Sequence, residues 1–106
     1  MRKIFSTTIA LMILLASTVA LANPISSDGY FKGIKLCGRV KVVDSFADIK
    51  VQIVDSFPDL KVKKVSAFAD DIGEWQFVDS FPDFTIQFVD SFPDIKIKFV
   101  DAFPGL

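Results

Sequence analysis

A chain of 106 residues with 12 basic and 13 acidic side chains has no surplus of cations with which to follow a nucleic-acid backbone. It contains no histidine, which removes the commonest general base and metal ligand. Its one cysteine, Cys37, cannot form a disulfide within the chain.

The first 22 residues read as a segment to be removed. Met1, Arg2 and Lys3 are a positive start, Ile4 to Val19 is apolar apart from a few Ser and Thr, and Ala20-Leu21-Ala22 supplies small residues at a cleavage site. That is the layout of a secretory signal peptide, not of a membrane anchor, which needs about 20 apolar residues and a stop-transfer charge cluster. The chain is therefore expected to be exported, to the periplasm or beyond the cell. No integral membrane segment is expected after cleavage. Removing Arg2 and Lys3 leaves 10 basic against 13 acidic residues, a net charge of −3. The mature chain is expected to be a monomer that binds no nucleic acid. At about 84 residues it can bury only a modest core, and small exported domains usually add disulfides. With Cys37 alone, something else must hold it together.

Residues 23–34 are expected to be a flexible N-terminal segment, followed by a single β-repeat domain over 35–106. The repeat is legible by aligning Val43, Val54, Val65, Val78, Val89 and Val100, spaced 11, 11, 13, 11 and 11 apart. Each valine is followed by a version of one turn: DSFAD at 44, DSFPD at 55, SAFAD at 66, DSFPD at 79 and 90, DAFPG at 101. Between turns, IKVQIV (49–54), LKVKKV (60–65), FTIQFV (84–89) and IKIKFV (95–100) alternate apolar and polar residues. That is the period of a half-buried strand. RVKVV (39–43) and WQFV (75–78) are shorter strands of the same kind. The mature domain is predicted to be all-β, a compact coil of about six short strands.

Ile49, Val51 and Ile53 should face one way, and Lys50 and Gln52 the other. The paired apolar residues ending each strand, such as Ile53-Val54, suggest a bend that turns both toward the core. The turn phenylalanines, Phe46, Phe57, Phe68, Phe81, Phe92 and Phe103, are then expected to plug the corners from inside. Truncating one should cost about 3–5 kcal/mol, as for a buried aromatic. Asp and Ser before each Phe can bond nearby backbone, and Pro fixes φ without needing a partner for an N–H. No turn before the last contains the Gly or Asn that two-residue hairpins use for positive φ. A solenoid-like corner is predicted instead, with Phe, Val and Asp stacked in ladders. The third turn expands to SAFADDIGEW and divides the repeats into two pseudo-equivalent halves of three strands.

Cys37-Gly38, the 11-residue beat of V-D-S-F-[AP]-D, the central Gly73-Glu74-Trp75 connection and the terminal Pro104-Gly105-Leu106 together resemble the septoil-knot family. The resemblance covers Lys35 to Leu106. It implies a small β-repeat domain whose backbone is tied as a seven-crossing torus knot, threading back through itself. It implies no activity, ligand or catalytic residue, so no site residue is carried over.

The residues themselves offer few candidates for chemistry. Cys37 has no histidine to activate it and is read as a buried small residue, intermolecular pairing being the alternative. The pairs Asp44/Asp48, Asp55/Asp59, Asp79/Asp83 and Asp90/Asp94 could collect Ca²⁺ or mimic glycosidase carboxylates. Loops closed by Phe and Pro, repeated almost identically, fit turn capping better than either. Lys50, Lys61, Lys63, Lys96 and Lys98, with Gln52, Thr85 and Gln87, form an outward face read as solubilising. Trp75 is read as core packing. No catalytic, cofactor or metal residue is assigned. The expected function is a stable, non-enzymatic structural or binding domain at the cell envelope. The alternative is a module binding cations or acidic glycans through the Asp turns or the Lys face.

The export reading has a direct check. The mature protein is expected to begin at or near Asn23, and intact-mass spectrometry finding Met1 retained would refute it.

Overall fold

The computed structural model describes residues 23–106; the signal-like segment 1–22 lies outside the described residues. A hairpin comes first, β1 (Tyr30–Phe31) and β2 (Ile34–Lys35). Then follow β3 (Gly38–Val42), β4 (Ile49–Ile53), β5 (Leu60–Lys64), β6 (Glu74–Phe77), β7 (Phe84–Phe88) and β8 (Ile95–Phe99). The last six close into a barrel in the order β3-β6-β5-β8-β4-β7, every pair parallel. The all-β class and the two halves are as the repeat implies. Round the ring the halves alternate, so each strand lies between two strands of the other half.

Register explains how such short turns connect parallel strands, which ordinarily need a crossover of a dozen residues or more. Ile53, ending β4, and Leu60, starting β5, both oppose Ile97 of β8 from its two edges. Likewise Val42 and Ile49 both oppose Ile86, and Phe88 and Ile95 both oppose Val51. The turn therefore makes no return journey along the strand. It steps sideways across one strand, a distance of roughly 10 Å or two strand spacings, and six residues suffice.

Counting each repeat from its first strand residue, the third residue of one strand opposes the first of the next. Val40 faces Phe84, Ile86 faces Ile49, Val51 faces Ile95, and Ile97 faces Leu60. Six interfaces with two residues of stagger each add up to twelve around the ring. For six strands that corresponds to a tilt of roughly 55°, steeper than the usual 35–45°.

First and third positions fill the barrel. Val40, Ile49, Val51, Leu60, Val62, Trp75, Phe84, Ile86, Ile95 and Ile97 are buried. The first positions of β3 and of the β6 repeat are Gly38 and Gly73. Trp75 takes the room beside them, edge-on to Phe84 at 5.6 Å and donating from Nε1 to the Leu36 carbonyl at 3.2 Å. Gly73 has φ +91°, and a Cβ there would lie 2.5 Å from the Lys61 carbonyl oxygen and 2.6 Å from the Gly105 nitrogen. Only glycine permits that approach.

Two findings differ from the sequence reading. The segment 23–34, expected to be a flexible lead-in, carries the hairpin turn Lys32-Gly33 with positive φ at both residues, and it buries Ile25 and Phe31. With Leu36 these residues close the barrel end at which the strands begin. Second, among the fifth strand positions only Phe77 and Phe99 pack against the core. Val42, Ile53 and Phe88 are 41–54 % exposed, because they lie beyond the last filled layer at the opposite end.

Ile97→Ala is expected to cost about 2–5 kcal/mol, as for a buried aliphatic truncation. Lys98→Ala, one residue on, should stay within about 0.5 kcal/mol. Urea titration of the two variants measures both, and equal small values would refute this core.

Candidate functional site

Each turn is an arch over a strand of the ring. In the second arch the Val54 amide donates to the Ile97 carbonyl on one edge of β8 (2.8 Å). On the other edge the Asp59 amide donates to the Lys96 carbonyl (2.7 Å), and Asp59 Oδ2 accepts from the Lys96 amide (2.8 Å). Asp94 holds Lys50 and Asp83 holds Arg39 in the same two-point way. Asp48 accepts from the Thr85 amide through Oδ2, while Thr85 Oγ1 accepts from the Asp48 amide. In the sixth arch Gly105 stands where the others have Asp, and its own carbonyl accepts from the Lys61 amide at 2.8 Å.

These bonds assign the paired aspartates. The second of each pair is tied to a strand amide, and the first (Asp44, Asp55, Asp79, Asp90) stands exposed at the other foot of the arch. The two carboxylates of a pair thus flank a strand from opposite sides. The outward lysines gather on three neighbouring strands, Lys50 on β4, Lys96 and Lys98 on β8, and Lys61 and Lys63 on β5, with Lys61 directly opposite Lys98.

The phenylalanines are a correction. Phe46, Phe57, Phe68, Phe81, Phe92 and Phe103 do not plug the corners; they are 83–101 % exposed. Each has φ between 51° and 56°. An arch that leaves one edge of a strand and lands on the other must reverse curvature at its crest, and the left-handed conformation does that. Gly or Asn usually supplies positive φ; here Phe does, and its Cβ is thereby aimed away from the barrel. The predicted ladders of stacked Phe are also absent: each ring stands fully exposed above a different strand. The six rings stand around the barrel as a crown, one over each strand.

A left-handed backbone costs a non-glycine residue about 1–2 kcal/mol. Six such residues together are comparable with the 5–15 kcal/mol that stabilises a whole domain. No burial of the Phe ring offsets that cost. Sequence reasoning missed this because hydrophobicity is read as inwardness. The available signal was that each turn Phe is out of phase with the inward positions of the strand that follows it, as Phe57 is with Leu60 and Val62.

Cys37 is half-buried, with Sγ 3.6 Å from the Asp70 carbonyl oxygen. Burial raises its thiol pKa above the ordinary value, nearby Asp70, Asp83 and Asp71 add to the rise, and Lys35 opposes it. The thiol is thereby kept protonated, the reverse of what a nucleophile needs. Trp75 packs in the core, as its place in the pattern suggested.

A family model described as the 7(1) septoil knot domain matches residues 33–106, well over half the chain. The chain belongs to the septoil knot domain family. The match begins at the turn of the β1–β2 hairpin and takes in every arch. Among curated proteins none matches the chain.

Since the arch needs left-handed φ and not an aromatic ring, Phe81→Asn is expected to leave stability unchanged or raise it by up to about 1 kcal/mol. Thermal melts of Phe81→Asn and Phe92→Asn check this. A loss of several kcal/mol would return the rings to a folding role.

Proposed function

We propose that this septoil knot domain is an exported, non-enzymatic binding module of the cell envelope, and that it binds through its crown of Phe arches. The observation carrying the proposal is the combination of full exposure and strained backbone at all six rings. Exposed large apolar groups in excess of what folding uses mark interaction surfaces, and local strain that the fold does not need points the same way. The export half rests on the Met1–Ala22 layout. The non-enzymatic half rests on repetition: six near-equivalent arches supply no unique constellation, and the chain lacks histidine.

The arches also rationalise a knot in this chain. Each passes outside one strand, and each strand is in turn held between strands of the other half, as threading would produce. A tied closed barrel would be the substitute for the missing disulfide, leaving no sheet edge for other molecules to join.

The experiment is retention of the purified domain on envelope material from cells that express it. Wild type is expected to be retained. A variant with all six arch phenylalanines changed to Asn is expected to be lost to the wash while melting no lower. Equal retention of the two would overturn the reading.

A further inference from the structure

The barrel has one closed end and one open end. Ile25, Phe31 and Leu36 close the end where the strands begin. At the other end stand the fifth residues of the six strands: Val42, Phe77, Lys64, Phe99, Ile53 and Phe88, in ring order. Five are apolar. The sixth, Lys64, places Nζ 4.5 Å from the Phe99 ring centroid and 5.8 Å from that of Phe77, the two rings being 6.4 Å apart. Beside this trio is a hollow bounded by Lys63, Lys64, Phe99, Val100 and Asp101.

We infer that this mouth receives the Asp-Ser-Phe-Pro-Asp arch of a second copy of the same chain. The proposal rests on the reading that the arches are binding elements, and it names their partner. Charge complementarity selects the occupant. The mouth offers apolar and aromatic surface with the ammonium groups of Lys63 and Lys64 at its rim. The arch offers one aromatic ring between an exposed carboxylate at one foot and a second at the other. A ring seated against Phe77 and Phe99 keeps the cation–π partner Lys64, while the leading Asp of the arch meets Lys63. Asp101 also borders the hollow and repels a carboxylate, which leaves the lysines as the place for the incoming Asp.

The molecule's own arches cannot fill the mouth. All six rings are at least 83 % exposed, each projecting from the barrel wall above a different strand. The contact is therefore head-to-side and does not close on itself. Such heterologous contacts extend instead of stopping at a dimer. With one mouth and several arches per copy, growth can branch. In place of the monomer expected from the sequence, this describes a monomer that associates as its concentration rises.

The test is sedimentation velocity of the processed protein as recovered from the exporting host, from about 10 µM to about 1 mM, the range of weak self-association. The weight-average mass is expected to rise with concentration and to rise less in high salt. Lys64→Glu should raise the concentration needed at least tenfold without lowering the melting temperature, since Lys64 is exposed. A seven-residue peptide of the 54–60 sequence should inhibit wild-type association, and the same peptide with Ser in place of Phe should not. A constant mass across the range overturns the inference, as does association that survives Lys64→Glu. Peptide binding with constant mass also overturns it, by moving the partner from a second copy to a foreign chain. Envelope retention that depends on the arches while mass stays constant would leave the proposed function standing and this inference alone refuted.

Discussion

Ile97 is opposed from one edge by Ile53 and from the other by Leu60, and the rest of the molecule depends on that double contact. Because the end of one strand and the start of the next are level with a single residue of a third, the chain need only hop sideways. The hop sets the turn at six residues, and with five-residue strands the period becomes eleven. Within each half it skips one place in the ring at each turn, and the longer third turn leads from β5 to its neighbour β6, so the second half fills the places the first leaves empty. The two-residue stagger, the steep tilt and the alternation of halves are consequences of the same contact.

This arrangement answers how about 84 residues cohere without a disulfide. Closure removes both sheet edges. Two inward side chains per strand, with Gly at the first position of two strands and Trp75 filling the vacated space, pack a barrel too narrow for more. Each clamping Asp ties the end of an arch to a strand roughly 40 residues distant in sequence, and most contacts in the domain are non-local. Topologies of that kind fold slowly. Neither half presents a complete ring by itself, so its strands have partners only when the other half is present.

The sequence made much of this legible, and the boundary is physical. Strand positions, the outward lysines and the core place of Trp75 follow from period-two alternation, a local property of backbone geometry. The two halves follow from the 13-residue gap. Stagger was not legible, because nothing local to IKVQIV says which residue of IKIKFV it will face. The β1–β2 hairpin could have been seen in Tyr30-Phe31-Lys32-Gly33-Ile34, where a two-residue turn ends in Gly. Read locally, the aspartates cap the turns of their own loops. In the fold their bonds go to Lys96, Lys50, Arg39 and Thr85, residues brought there only by closure.

The phenylalanines are where local and global reasoning part. An arch crest needs left-handed backbone, and for that Gly is cheapest and Asn next. The sixth arch has a Gly, but at the Asp position, two residues past its own crest Phe, so the chain can use Gly in an arch and does not use it at the crest. Six exposed aromatic residues in a conformation that disfavours them are not accounted for by the stability of this barrel. Nor does solubility account for them, since exposed rings oppose it. What an exposed, outward-aimed ring does offer is a rigid apolar contact with only two side-chain torsions to immobilise on binding, presented at six bearings around one small body. A surface of that kind engages partners without regard to the rotation of the domain about its axis. That property suits a domain packed among many copies better than one that docks in a single pose.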